Sequence, residues 1–265
     1  MSATDHPGAA GVLLLCRAEP DRVRPSAQLL REPLLLAPAG EGWSVLVPGE
    51  DPWHEGETGV AAITADLAHA LAMAEPWPVV GLWWDEDGAG FVVAAGFRRT
   101  AGYTWLADGT PLGGEEAMTA LRARLGLDPV LDGAALDRLT EPDSDADARA
   151  RVLGLVAVLT RTGLRLPTGL APGLGADGLR AAAGMLAVTE AVQWPGWRAA
   201  VRTGLHAAGR GAGRLRLLGA VEVVAGAALL ARGRGRWRAA GAVLVADGAL
   251  TIAYDAWRSR DSAGR

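Results

Sequence analysis

Charge is the feature that most narrows what this chain can form. Residues 1–147 carry 9 arginines against 24 aspartates and glutamates, whereas residues 148–265 carry 17 arginines against 6 acids. The segments have net charges of −15 and +11, leaving −4 for the 265-residue chain. An asymmetry of this size reports a charged partner surface, or attraction between the two segments themselves. The boundary falls at Glu141-Pro142-Asp143-Ser144-Asp145-Ala146-Asp147, which reads as an acidic linker running into a helix. The expected organisation is therefore an acidic domain over 1–140, a linker over 141–147 and a basic helical region over 148–265.

Half of the residues are hydrophobic, enough to bury a core, so a wholly disordered chain is excluded. The sequence has no lysine, which removes the lysine of a Walker-A loop, a lysine Schiff base and a kinase-type lysine. Cys16 is the single cysteine, so neither an intramolecular disulfide nor a multi-cysteine metal centre can form.

The acidic segment reads as a small α+β domain, an antiparallel sheet with two or three helices. Val12–Arg17 and Trp43–Val47 are apolar runs bounded by glycine and proline, the signature of short strands. Val60, Ile63, Leu67, Leu71 and Ala74 recur at helical spacing, which predicts a helix over 60–74 capped by Thr58 and stopped by Pro76. Val79–Trp84, Phe91–Phe97 and Tyr103–Leu106 follow with short polar connections, as in an antiparallel meander. A helix over 115–125, with Met118, Leu121 and Leu125 on one face and Gly126 beyond its end, precedes a short one over 133–139 after Asp132. Trp83 and Trp84 are adjacent in one strand and must point to opposite faces. With helices on one face only, one of them is core and the other half-exposed, a candidate anchor for a protein partner.

Local motifs for chemistry fail on spacing. His54-Glu55-Gly56-Glu57-Thr58 starts like a zinc-protease motif, but its fifth residue is threonine. Asp143, Asp145 and Asp147 match the first ligand positions of a calcium loop that then has Ala148 and Gly154 where glycine and glutamate are required. Ser144 as helix cap with Asp147 three residues on accounts for those acids instead. Gly173-Leu174-Gly175-Ala176-Asp177-Gly178 spells a dinucleotide fingerprint, yet Pro167–Pro172 before it is no strand. Asp85, Glu86 and Asp87 read as a solvated hairpin tip, His69 as a surface or half-buried helix residue, and Cys16 as an inert core thiol. No metal, cofactor or catalytic residue is assigned.

The basic segment reads as all-α, rich in Ala, Gly and Arg, with helices near 146–162 and 179–193. Beyond Trp194-Pro195-Gly196-Trp197, Arg198, Arg202, His206, Arg210 and Arg214 recur every fourth residue as a basic stripe suited to an anionic surface. Leu217–Ala231 and Ala239–Trp257 then form an apolar pair around Arg232–Arg236, a hydrophobic helical hairpin over 217–257. Trp237 and Trp257 stand at its interfacial positions, and Gly219 faces Gly248 as Gly226 faces Gly241. Glu222 and Asp247 would lie near mid-membrane in that hairpin, or pair with arginines in a soluble bundle. The N-terminus shows no cleavable signal pattern, so both termini are expected in the cytoplasm, with the basic region at the inner face of the membrane. Three functions follow in order: a non-enzymatic partner-binding domain on a membrane-associated helical region, a fully soluble two-domain regulator, and a nucleic-acid binder. The last ranks low because the arginines interrupt apolar segments instead of lining one recognition helix.

Overall fold

A computed structural model describes residues 10–49, 59–73 and 75–193 of the chain. These residues all belong to one unit built around an eight-stranded sheet. In chain order the elements are β1 (Gly11–Cys16), α1 (Pro20–Leu29), β2 (Leu34–Pro38), β3 (Ser44–Pro48), α2 (Val60–Ala72), β4 (Val79–Trp84), β5 (Gly88–Ala94) and β6 (Ala101–Leu106). They continue with β7 (Pro111–Leu112), α3 (Glu115–Leu125), α4 (Gly133–Arg138), α5 (Ala148–Leu159), α6 (Ala176–Met185) and β8 (Glu190–Val192). The strand order is β7-β6-β5-β4-β1-β3-β2-β8, and every pairing is antiparallel. The expected meander is present as β4, β5 and β6.

Helices cover both faces of this sheet. One face carries Leu13, Leu15, Val80, Leu82, Trp84 and Phe91 under α3, α4, α5 and α6. The other carries Val12, Leu14, Leu46, Val79, Trp83 and Val92 under α1 and α2. The physical cause is legible in the strands: Gly11–Cys16, Ser44–Pro48 and Val79–Trp84 are buried at every position, so they cannot alternate apolar with polar. Close packing of α2 depends on Gly81, where a Cβ would stand 2.5 Å from the Thr64 methyl.

This architecture corrects several expectations. The packing does not divide at 141–147, because α5 lays Val152, Leu155 and Leu159 on the same sheet face as α3. The acidic stretch is a surface connection, held by a hydrogen bond from the Ala148 amide to the Ala107 carbonyl. Its cap is Asp147 itself, whose carboxylate accepts from the Ala150 amide at 2.7 Å, and not Ser144. The expected helix over 179–193 ends at Met185, and Glu190–Val192 becomes a strand because β2 offers it an open edge. Neither α1 nor β2 was expected. The 60–74 helix ends at Ala72, with Gly59 at its cap position. The α+β reading of the first segment stands, while the basic stripe and the 217–257 hairpin lie outside the described residues.

Candidate functional site

Three separate segments meet at one end of the sheet, and each brings carboxylates. The β4–β5 hairpin supplies Asp85, Glu86 and Asp87, the β6–β7 hairpin Asp108, and the run into α5 supplies Asp143, Asp145 and Asp147. Backbone contacts lock the segments together. The Ala107 amide donates to the Asp87 carbonyl at 2.9 Å, and Gly109 lies so close to the chain at Ala146 that a Cβ would stand 1.7 Å from its carbonyl oxygen. Gly109 also has φ +81°, a conformation that side chains disfavour.

The acids are at this end partly because the turns need acceptors. Asp85 accepts from the Asp87 and Gly88 amides, Asp108 from Thr110, Asp143 from Asp145, and Asp147 from Ala150. The two hydrogen bonds from Thr110, backbone amide first, hold the Asp108 carboxyl below the usual carboxylate range. Each aspartate thus fixes a loop and still presents its charge: all but the half-buried Asp85 are exposed.

Two cavities flank the Gly109–Ala146 contact. One, of about 570 Å³, is lined by Asp108, Thr110, Thr140, Asp143 and Ser144. The other, of about 400 Å³, is lined by Asp85, Glu86, Asp147 and Trp84, with Arg149 beside Gly173. The glycine loop forms one wall of it. Leu174 accepts a 2.8 Å hydrogen bond from the Trp84 indole, and α6 starts directly at Ala176 with no strand ahead of the loop. Arg151, 2% exposed, ties the third segment down by donating to the carbonyls of Arg138 and Glu141 at 2.8 and 2.7 Å. Trp105, fully buried, donates to the Leu139 carbonyl at 2.7 Å and packs against Phe91 and Tyr103.

The residues singled out from sequence fall elsewhere or outside. Trp83 and Trp84 do point to opposite faces, but both are buried, at 7% and 5% exposure, because each face has its own helices. The half-exposed tryptophan expected as a partner anchor is therefore absent from this strand, although Trp84 is among the residues lining the second cavity. Arg198, Arg202, Arg210, Arg214, Glu222 and Asp247 lie outside the described residues. Among the described residues no group of three histidine, cysteine or acidic side chains is placed to hold a metal, and no helix is long and apolar enough to cross a membrane. His69 is half-buried on α2, under the opposite face. Cys16 is fully buried, and burial pushes its thiol far up. Each acidic run is visible in the sequence by itself; their convergence depends on the β6–β7 hairpin, which contacts both of the others. Arg149 and Arg151 gave no signal beyond a charged start to a helix. Comparison with family models, with curated proteins and with solved structures finds no match for this chain.

Proposed function

We propose that this protein acts by binding, and that the acidic end of the sheet receives a positively charged segment of a protein partner. The observation that carries this is the convergence of three acidic chain segments at one end of the sheet, where Asp85, Glu86, Asp108, Asp143 and Asp147 line two cavities on loops pinned by their own hydrogen bonds. Pre-fixed charges lose little freedom on binding, and a surface dominated by carboxylates, against the single Arg149 in the second cavity, concentrates cationic ligands. On this reading the basic stripe at Arg198, Arg202, Arg210 and Arg214 and the 217–257 hairpin, with Glu222 and Asp247, form a membrane-associated region at the inner face of the cell membrane.

Titration of the full chain with an arginine-rich peptide, followed by calorimetry, tests the recognition reading. Binding is expected to weaken steeply with salt and to fall at least tenfold when Glu86, Asp87 and Asp145 are changed together to Gln, Asn and Asn. These three are exposed. Binding that is indifferent to salt and to the triple variant rejects the acidic end as the binding surface. Alkaline carbonate extraction of membranes, comparing the full chain with a truncation ending near Gly213, tests the membrane part. Loss of both forms to the soluble fraction leaves the two-domain soluble regulator as the reading.

A further inference from the structure

The opposite end of the sheet has a different character. There the β5–β6 hairpin projects Phe97, which is 79% exposed, followed by the exposed Arg98 and Arg99. The loop leaving α3 at the same end presents Val130 and Leu131, which are 81% and 68% exposed. That the loops share an end follows from their ties. Arg124, near the end of α3, donates to the carbonyls of Val93 and Arg99 at the base of the hairpin, and Arg17, just past β1, donates to Leu125.

Both loops are held rigid with their apolar side chains outward. Gly96 takes a left-handed turn, φ +54°, and the Arg98 amide closes it on Ala95. In the second loop the Asp128 carboxylate accepts from the Val130 and Leu131 amides at 2.8 Å each, and Arg161 donates to the Leu131 carbonyl at 2.6 Å. The carboxylate of Asp132 is met by Arg161. Among the described residues Arg17, Arg98, Arg99 and Arg124 are in no ion pair, in contrast to Arg24, Arg122, Arg161 and Arg180. Arg98 also stands close enough to Arg124 for its charge to act against that guanidinium, after burial. Single exposed apolar residues are ordinary, but a phenylalanine and two aliphatic side chains on two braced loops, beside four arginines lacking carboxylate partners and with Asp128 as the acid of the second loop, join apolar and mainly positive character at one end.

We infer that this end of the sheet docks on an anionic lipid surface, with Phe97, Val130 and Leu131 entering the headgroup boundary and Arg98 and Arg99 meeting lipid phosphates. Apolar tips on separate loops suit a fluid interface, and juxtamembrane arginines gain from a negative leaflet. The acidic end would then face away from the bilayer, which repels it.

The test uses the full chain with Val130→Cys carrying an environment-sensitive dye; Cys16, fully buried, leaves position 130 as the reactive thiol among the described residues. Vesicles of phosphatidylcholine with phosphatidylserine are expected to shift the dye to shorter wavelength, and phosphatidylcholine alone is not. Arg98→Glu with Arg99→Glu is expected to weaken the response at least tenfold, and Phe97→Ser severalfold. Phe97→Ser, at an exposed position, keeps the test decisive should the double reversal disturb folding. Unchanged dye emission on vesicles that still sediment the protein overturns the inference, as does an equal response to neutral vesicles. A stronger response to a single-stranded oligonucleotide than to lipid reassigns the surface to nucleic acid and overturns it too.

Discussion

The two ends of the sheet solve the same problem with opposite charges. At the acidic end, turn amides need acceptors, and Asp85, Asp108, Asp143 and Asp147 provide them. At the other end, carbonyls of loops and of strand and helix ends need donors, and Arg17, Arg124 and Arg161 provide them. Some residues cross this division: Arg149 lines a cavity at the acidic end, and Asp132 meets Arg161 at the far end. Arg151 works at the acidic end but is buried beneath it, and Asp128 fixes a loop at the far end. The difference teaches that charge separation along the strands grows out of local backbone satisfaction, and that side chains recruited to hold loops also give each end its electrostatic sign.

Substitutions that break one end and spare the other sharpen this comparison. The largest effect is expected from Gly109→Val, which strains the backbone and drives a side chain into Ala146; a loss of about 4 kcal/mol or more, read by urea denaturation, undoes the acidic end as a unit. Trp105→Ala should follow at about 3–5 kcal/mol, since it empties a fully buried site and releases the Leu139 carbonyl. Arg151→Met removes the donors to Arg138 and Glu141 and should cost about 2 kcal/mol while lowering affinity for a cationic peptide through misplacement of Asp143. If stability drops but peptide affinity does not, the third segment is not part of the binding surface. Asp147→Ala loses a helix cap, about 1 kcal/mol by thermal denaturation.

The smallest effect concerns acid. Backbone hydrogen bonds hold the Asp108 and Asp128 carboxyls below their ordinary range in the folded state. Their stabilisation is therefore present above the unfolded-state range and is lost as pH falls through the lower folded-state values. Asp108→Asn with Asp128→Asn should flatten the acid limb of the stability profile, and equal limbs for variant and parent would remove these two turns as its source.

Elements set by local pattern were legible. Helix α3 was read at its observed bounds from Met118, Leu121 and Leu125 with Gly126 after them, because one apolar stripe and one left-handed glycine suffice to place it. Strand β4 was read as well, since no helix interrupts a run such as Val79–Trp84 between short polar connections. Helix α1 was not. Its buried face is only Val23 and Ala27, and Pro25 sits inside it, so its stripe is too thin to see. Strand β2 was hidden between prolines. The acidic runs were each legible as turns, and the convergence that makes them a candidate site was not.

The sequence by itself determined the charge division, the absence of lysine chemistry, the meander and the main helices, because composition and short-range periodicity are local properties. Tertiary structure alone decided that both faces of the sheet are covered, which buries Trp83 and Trp84 together. It also decided that residues 148–192 belong with the acidic segment and that Glu190–Val192 is a strand. Those outcomes depend on which distant surfaces meet. An apolar run on a sheet reads the same whether one helix layer or two will pack on it, and an edge strand exists only where a neighbour has left its backbone unpaired.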